Sequence, residues 1–212
     1  MAHNLGSAPT DLSRKVGGVP SLVTPALPVG TLASRTQPEI HAEGLVLRPW
    51  RAEDHASVMA AYADPGIQRW HARTMTDDEA RAYIENWERR WCQESGAGWA
   101  VTEDGKVAGQ VSLRTIDLRE GLAEVSYWVL PEARGRRTAK RALTAMSGWA
   151  FGELGLHRIE VLHSTRNEAS CRVATAAGYA LEGTKRSEAK HADGWHDMHL
   201  HACVTSDCQT FN

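Results

Sequence analysis

The stretch from Glu124 to Tyr179 restricts the possible folds more than any other part of the chain. It reads as a strand, a basic turn, a helix, a second strand and a second helix. Val125 to Leu130 is rich in β-branched and aromatic residues and is stopped by Pro131, which has no N–H for a sheet ladder. The turn Arg134-Gly135-Arg136-Arg137-Thr138-Ala139 then opens a helix whose Ala139, Leu143, Met146 and Ala150 recur every three or four residues, giving it one apolar face. Free backbone N–H groups at a helix start, flanked by three arginines, form an anion site. A diphosphate carried on a nucleotide is the natural ligand, because its charge is spread over oxygens that several donors can share. A solvated basic surface is the alternative reading of the same residues.

The segment resembles the GNAT superfamily of acyl-CoA-dependent N-acyltransferases, whose pyrophosphate loop follows a strand and reads Arg/Gln-x-x-Gly-x-Gly/Ala. Arg134 and Ala139 match its first and last positions, and Arg137 stands where the family prefers Gly. The N–H there is retained, and a side chain is tolerable if φ is negative. Asn167-Glu168-Ala169-Ser170, followed by Gly178-Tyr179, is similar to the N-x-x-S...G-[FY] signature of the ribosomal-protein N-terminal acetyltransferase (Rim-like) branch. The resemblance spans roughly residues 44 to 204. It implies an α/β GNAT fold, with a mostly antiparallel sheet of about six to seven strands and about four helices.

The remaining chain is compatible with that architecture. With 212 residues, 42% of them hydrophobic and 24% charged, it is large enough for one substantial core. A net charge of −2 argues against a nucleic-acid partner. Cys92, Cys171, Cys203 and Cys208 form no C-x-x-C pair, and no apolar run reaches eighteen residues, so a reduced, cytoplasmic protein with no membrane partner is expected. Residues 1 to 40 hold five of the eight prolines and no helical period, and read as a flexible extension. Residues 41 to 204 form the acyltransferase domain, and residues 205 to 212 a tail. Helices are expected over 53 to 63, ended by Asp64-Pro65-Gly66, and from the Thr76-x-x-Glu79 capping box to about Gln93. Glu103-Asp104-Gly105 and Asp193-Gly194 mark two hairpin turns.

The resemblance also assigns roles. Arg134, Gly135, Arg136, Arg137, Thr138 and Ala139 would hold the cofactor's diphosphate. Backbone groups of Trp128, Val129 and Leu130, beyond a point where two strands splay after Val129, would hold the thioester, and Asn167 the pantetheine arm. Ser170 would protonate the leaving thiolate; a serine bonding back to a carbonyl one turn earlier is its structural alternative. Trp70, His71, Tyr83 and Trp87 would line the acceptor site, or simply pack. Three residues are candidate bases: Glu124 on the strand leading to the cofactor, Glu188, which stands one residue out of register, and His163 on the facing strand. Cys171 points about 100° away from Ser170 around the helix, which disfavours a ping-pong thiol route. Alternation puts His199 and His201 on one face and His196 on the other, so no metal is expected.

The implied reaction is direct attack of an amine on the thioester of acetyl-CoA or another short acyl-CoA. At pH 7 roughly 14% of an α-amine of pKa about 7.8 is neutral, against about 0.04% of a lysine amine, a difference of roughly 3.5 kcal/mol. A site with no unmistakable base therefore suits a peptide or protein N-terminal amine. Acetylation of a small-molecule amine such as an antibiotic, and a catalytically silent acyl-CoA-binding or partner-docking domain, remain alternatives. A monomer or homodimer fits either.

Overall fold

The computed structural model describes residues 22–210, and side chains through residue 207. Eight strands form one sheet: β1 Ile40–Ala42, β2 Leu45–Pro49, β3 Ala97–Glu103, β4 Lys106–Asp117, β5 Leu122–Val129, β6 Arg158–Ser164, β7 Ala180–His191 and β8 Gly194–Val204. Their spatial order is β1-β2-β3-β4-β5-β6-β8-β7. Every neighbouring pair is antiparallel except β5 and β6, which run parallel. The five α-helices are α1 His55–Ala63, α2 Pro65–His71, α3 Asp77–Cys92, α4 Thr138–Trp149 and α5 Glu168–Ala176. The architecture is the expected α/β one, with one strand and one helix more than expected.

The extra helix follows from a boundary with two meanings. Asp64 is extended at φ −72° and ψ 124°, which ends α1. Its carboxylate accepts the Ile67 N–H, and Pro65 follows at the first helical position, so the residues that stop one helix start the next. At Thr76 the expected capping box forms, and Gly155, at φ +86°, ends the π-helical turn that extends α4.

The sheet has two covered faces. Leu143, Met146 and Ala150 of the α4 segment pack with Leu47, Trp99, Val125 and Val161 in the larger core. On the opposite face Val58, Tyr62, Ala80 and Ile84 of α1 and α3 pack on Trp128 and Leu130. Alternation along each strand divides side chains between the faces: Trp99 meets Trp149 at 5.3 Å, while Gly98 lies under the Trp87 ring, where a Cβ would come within 2.3 Å.

The expectation of an unpacked extension through residue 40 is corrected over residues 26 to 40; residues 1–21 lie outside the described residues. Leu27 and Leu32 are buried in the larger core, and the Ala26 and Leu27 N–H groups donate to the carbonyls of Arg119 and Leu118. Prolines prevent a helix here but not packing. The anchor is Glu94, whose carboxylate accepts the N–H groups of Gly30 and Leu32 at 2.7 Å and of Ala33 at 3.3 Å. Burial disfavours its charge, and the three donors outweigh that, holding the carboxyl below its usual range.

Glu94→Ala should cost about 1–2 kcal/mol in urea unfolding and open the segment to limited proteolysis. A depressed carboxyl stabilises the fold above its unfolded value of about 4.3, so the wild-type advantage over the variant should be full at pH 7 and fade as pH falls through the folded value.

Candidate active site

The site begins where β5 and β6 part. Their pairing runs from Leu122↔Arg158 to Val125↔Val161 and stops, although β5 continues to Val129 and β6 to Ser164. The splay therefore starts four residues earlier than expected. The Leu130 N–H donates to Ala108 on β4 at 2.9 Å, and alternation turns that of Trp128 the same way. Leu130 and Trp128 are thus removed as cleft donors. Tyr127 and Val129 face the open side, and Tyr127 was not singled out in the sequence because its role depends on this register.

Across the cleft, Asn167 caps α5, accepting the Ser170 N–H at 3.1 Å. That leaves its amide NH₂ to donate elsewhere. Ser170 is buried, and its Oγ lies 2.7 Å from the Tyr127 Oη. Burial pushes the Tyr127 phenol up to about 12, against the Ser170 hydrogen bond, so it stays protonated at neutral pH. A phenol donating to Ser170 leaves the serine proton free to point into the cleft. At the other end of α5, the buried Tyr179 hydroxyl meets Ser147 Oγ of α4 at 2.6 Å, fixing the helix exit.

The basic turn has two of its cations already engaged. Arg134 donates to the Asp64 carboxylate and, through Nε, to the Val129 carbonyl at 3.2 Å. Asp64 is held below the usual carboxylate range, chiefly by that Arg134 bond. Arg136 pairs with Glu103 at 3.0 Å. Arg137 has no ion pair among the described residues. Thr138 is buried and donates its hydroxyl to Ala133 at 3.0 Å. Among the described residues, the N–H groups of Gly135, Arg136, Arg137, Thr138 and Ala139 find no backbone acceptor. Gly135 takes φ +79°, and Arg137 takes φ +58° and ψ 20°. The condition of a negative φ at Arg137 is therefore not met: this arginine occupies the left-handed region that glycine occupies without strain.

The candidate bases are dispersed. Glu124 is half-buried beside Arg114, with a 3.4 Å ion pair. Its side chain shares the sheet face of Trp128, opposite Tyr127 and Ser170. Glu188 lies in a bulge where Arg186, Ser187 and Glu188 stand opposite Asp197 alone, and it pairs with Lys185 at 3.2 Å, outside the cleft. His163 is buried; Nδ1 meets the Ser164 carbonyl at 2.9 Å, and Nε2 has no partner among the described residues.

On the acceptor side, His71 at the end of α2 reaches the Tyr127 backbone. Burial, partly offset by that bond, drops its pKa to about 4. The ring stands edge-on to Tyr62 at 6.0 Å, and Tyr62 contacts Tyr83 and Trp128. Trp50 closes this wall against Tyr83 and Trp128; its Nε1 and that of Trp128 are buried donors with no partner among the described residues. Tyr83 donates to Gln110, and burial raises its pKa. Trp70 meets His191 of β7 at 6.2 Å. Trp87 is buried over Gly98 and belongs to the packing.

Arg137→Gly should relieve the left-handed strain and stabilise the protein by about 0.5–1 kcal/mol in thermal or urea unfolding. Arg137→Ala, which keeps the strain and removes the guanidinium, should leave stability nearly unchanged. Comparing the two separates backbone strain from charge.

With this geometry in place, comparison with known proteins is informative. Residues 44–180 match the family described as the acetyltransferase (GNAT) domain. The Bacillus subtilis protein YdaF, which is named for ribosomal N-acetyltransferase activity, is 28% identical over 120 residues. That alignment covers 57% of this chain and 65% of YdaF, just under two thirds of the relative's length. A structure of RimL, a ribosomal L7/L12 α-N-protein acetyltransferase with coenzyme A, superposes with a TM-score of 0.73 at 18% identity. It covers 79% of this chain and 98% of RimL. RimJ of Mycobacterium smegmatis gives 0.72 at 21% identity, covering 80% and 87%. The RimL and RimJ structures share the fold, and the family match over residues 44–180 shows that the chain belongs to the GNAT acetyltransferases.

Proposed function

We propose that the protein transfers acetyl from acetyl-CoA to a primary amine, most readily a peptide or protein N-terminal α-amine, by direct attack on the thioester. The observation that carries this reading is the Ser170–Tyr127 pair at the mouth of the β5–β6 splay. In the proposed pose the diphosphate lies on the Gly135–Ala139 N–H groups, the Asn167 amide donates to the pantetheine arm, and the Val129 N–H meets the thioester oxygen.

Magnitudes decide what the pair does. A thiolate with a reference pKa of about 8.5 cannot keep a proton from a phenol near 12, since that transfer is uphill by roughly 3.5 units. The two hydroxyls therefore stabilise the departing sulfur by hydrogen bonding. The proton it finally holds comes from the attacking amine, relayed through Ser170. His71, neutral at pH 7, acts as a donor or positioning group rather than a cation. Among the described residues no strong base faces the cleft, and this favours an amine already partly neutral at pH 7.

Acetylation of a small amine is the second reading. The aromatic wall of Trp50, Tyr62, Tyr83 and Trp128 favours it, since compact or aromatic amines would fill such a surface. In that context, the structure of the microcin C7 self-immunity acetyltransferase MccE with acetyl-CoA and AMP shares the fold, with a TM-score of 0.70 at 18% identity. Thiol release from acetyl-CoA, measured against N-terminal peptides and a panel of small amines, separates the two readings. Release with neither, together with intact acetyl-CoA binding, would overturn both in favour of a silent domain.

Ser170→Ala should lower kcat about 10²-fold and leave the acetyl-CoA dissociation constant within about twofold. Tyr127→Phe should do the same to a lesser degree. Equal weakening of acetyl-CoA binding would make the pair structural. With an α-amine acceptor, kcat/KM should rise about tenfold per pH unit up to roughly pH 7.8 and show no inflection from His71 between pH 5 and 8. An inflection in that window that is removed by His71→Gln would contradict the assignment of a neutral ring.

A further inference from the structure

Beneath α5, on the face away from Trp128, four metal-ligating side chains converge from three elements. His163 comes from β6, His199 and His201 from β8, and Cys171 from α5. One ligand atom of each lies within 4.8 Å of all the others. The register makes this possible: His163 pairs with His199, and Val161 with His201. The His163 ring stacks on His201 at 5.1 Å and stands edge-on to His199 at 5.4 Å.

The orientation of the rings carries the argument further than their proximity. His163 Nδ1 donates to the Ser164 carbonyl at 2.9 Å, which turns the Nε2 lone pair inward, and that atom is buried with no partner among the described residues. His201 Nδ1 faces the Tyr179 carbonyl at 3.3 Å, which leaves Nε2 3.7 Å from Cys171 Sγ. His199 Nδ1 is also buried, with no partner among the described residues. Backbone carbonyls holding the far nitrogens are the supports that orient imidazoles around a metal. Two orphaned buried nitrogens in one cluster are costly unless something binds them.

We propose that His163, His199, His201 and Cys171 form a closed, four-coordinate site for a divalent metal of zinc type. Three imidazoles and a thiolate suit a borderline-soft ion. With Zn–N of about 2.0–2.1 Å and Zn–S of about 2.3 Å, a tetrahedral site has nitrogen–sulfur edges of roughly 3.6 Å, close to the 3.7 Å between Cys171 and His201. Nitrogen–nitrogen edges of such a site are roughly 3.3 Å, so an edge at the 4.8 Å limit needs a contraction of roughly 1.5 Å, within the reach of side-chain rotation. Binding releases the Cys171 thiol proton, and four protein ligands leave no open position for substrate. The ion is therefore structural: it ties α5, which presents Asn167 and Ser170, to β6 and β8. It also makes His163 a ligand and withdraws it from the candidate bases. His196 belongs to a separate group, engaged by Ser164 at 2.8 Å and by Asp193 at 2.7 Å.

The test uses the full chain, stripped with a chelator and titrated with Zn²⁺ or Co²⁺. One zinc per chain by elemental analysis is expected, with a thermal midpoint raised by several degrees. Co²⁺ should give intense tetrahedral d–d bands and a thiolate-to-metal charge-transfer band. Cys171→Ser should abolish the charge-transfer band and weaken zinc at least tenfold, whereas Cys92→Ser, which removes an exposed thiol, should change neither. His199→Gln should weaken zinc comparably without altering α5. Failure of the stripped, folded wild type to take up either ion at micromolar concentration would overturn the site, as would a charge-transfer band that survives in Cys171→Ser. Because the cobalt spectrum is read on the wild type, it does not depend on the variants folding.

Discussion

Among the described residues β5 and β6 are the only parallel neighbours in the sheet, and they stay paired for four residues. Beyond Val125 and Val161 the two strands diverge, because β6 follows β8 while β5 follows β4. Unpaired strand edges inside a protein are costly, and the divergence frees the N–H and C=O groups of Tyr127 and Val129 from strand pairing, so that the Val129 carbonyl accepts from Arg134 Nε and His71 bonds the Tyr127 backbone. His71, Arg134 and α5 each approach that opening. The rest of the candidate site is arranged around a place where the sheet declines to close.

Alternation along β5 then gives the opening two chemically different sides. Tyr127 projects toward α4 and α5 and meets Ser170; Glu124 and Trp128 project toward the α1–α3 side, with its aromatic wall. A thioester threaded through the splay would have its sulfur near paired hydroxyls and its acyl carbon open to an amine from the opposite face. Separating leaving group from nucleophile in this way needs no residue of unusual reactivity. That is consistent with the scattered positions of the acidic residues, each already in an ion pair.

Much of this was legible. The strand, turn, helix, strand and helix between Glu124 and Tyr179 stand where hydrophobic periodicity and Pro, Gly and Asn punctuation put them, since those signals act over a few residues of chain. What escaped did so for identifiable reasons. Asp64-Pro65-Gly66 reads as a stop, and whether the chain then restarts as a helix depends on the Asp64 carboxylate turning back to Ile67. Glu94 holds residues 30 to 33 across more than sixty positions of sequence, which no local pattern records. Tyr127 looks like an ordinary strand aromatic until the register brings Ser170 to it.

By itself, the sequence determined the order and type of most elements and the basic turn that opens α4, because backbone propensity and helix-end chemistry are local. Tertiary structure alone decided where the parallel strands part, that Arg137 must adopt a left-handed backbone, and which side chains share a face across β6, β8 and α5. His163, Cys171, His199 and His201 are spread over thirty-nine positions of the chain and come within 4.8 Å only when register and helix docking are both set. Long-range geometry of this kind is a property of the packed whole, since the free energy that holds each group depends on partners that the local chain does not contain.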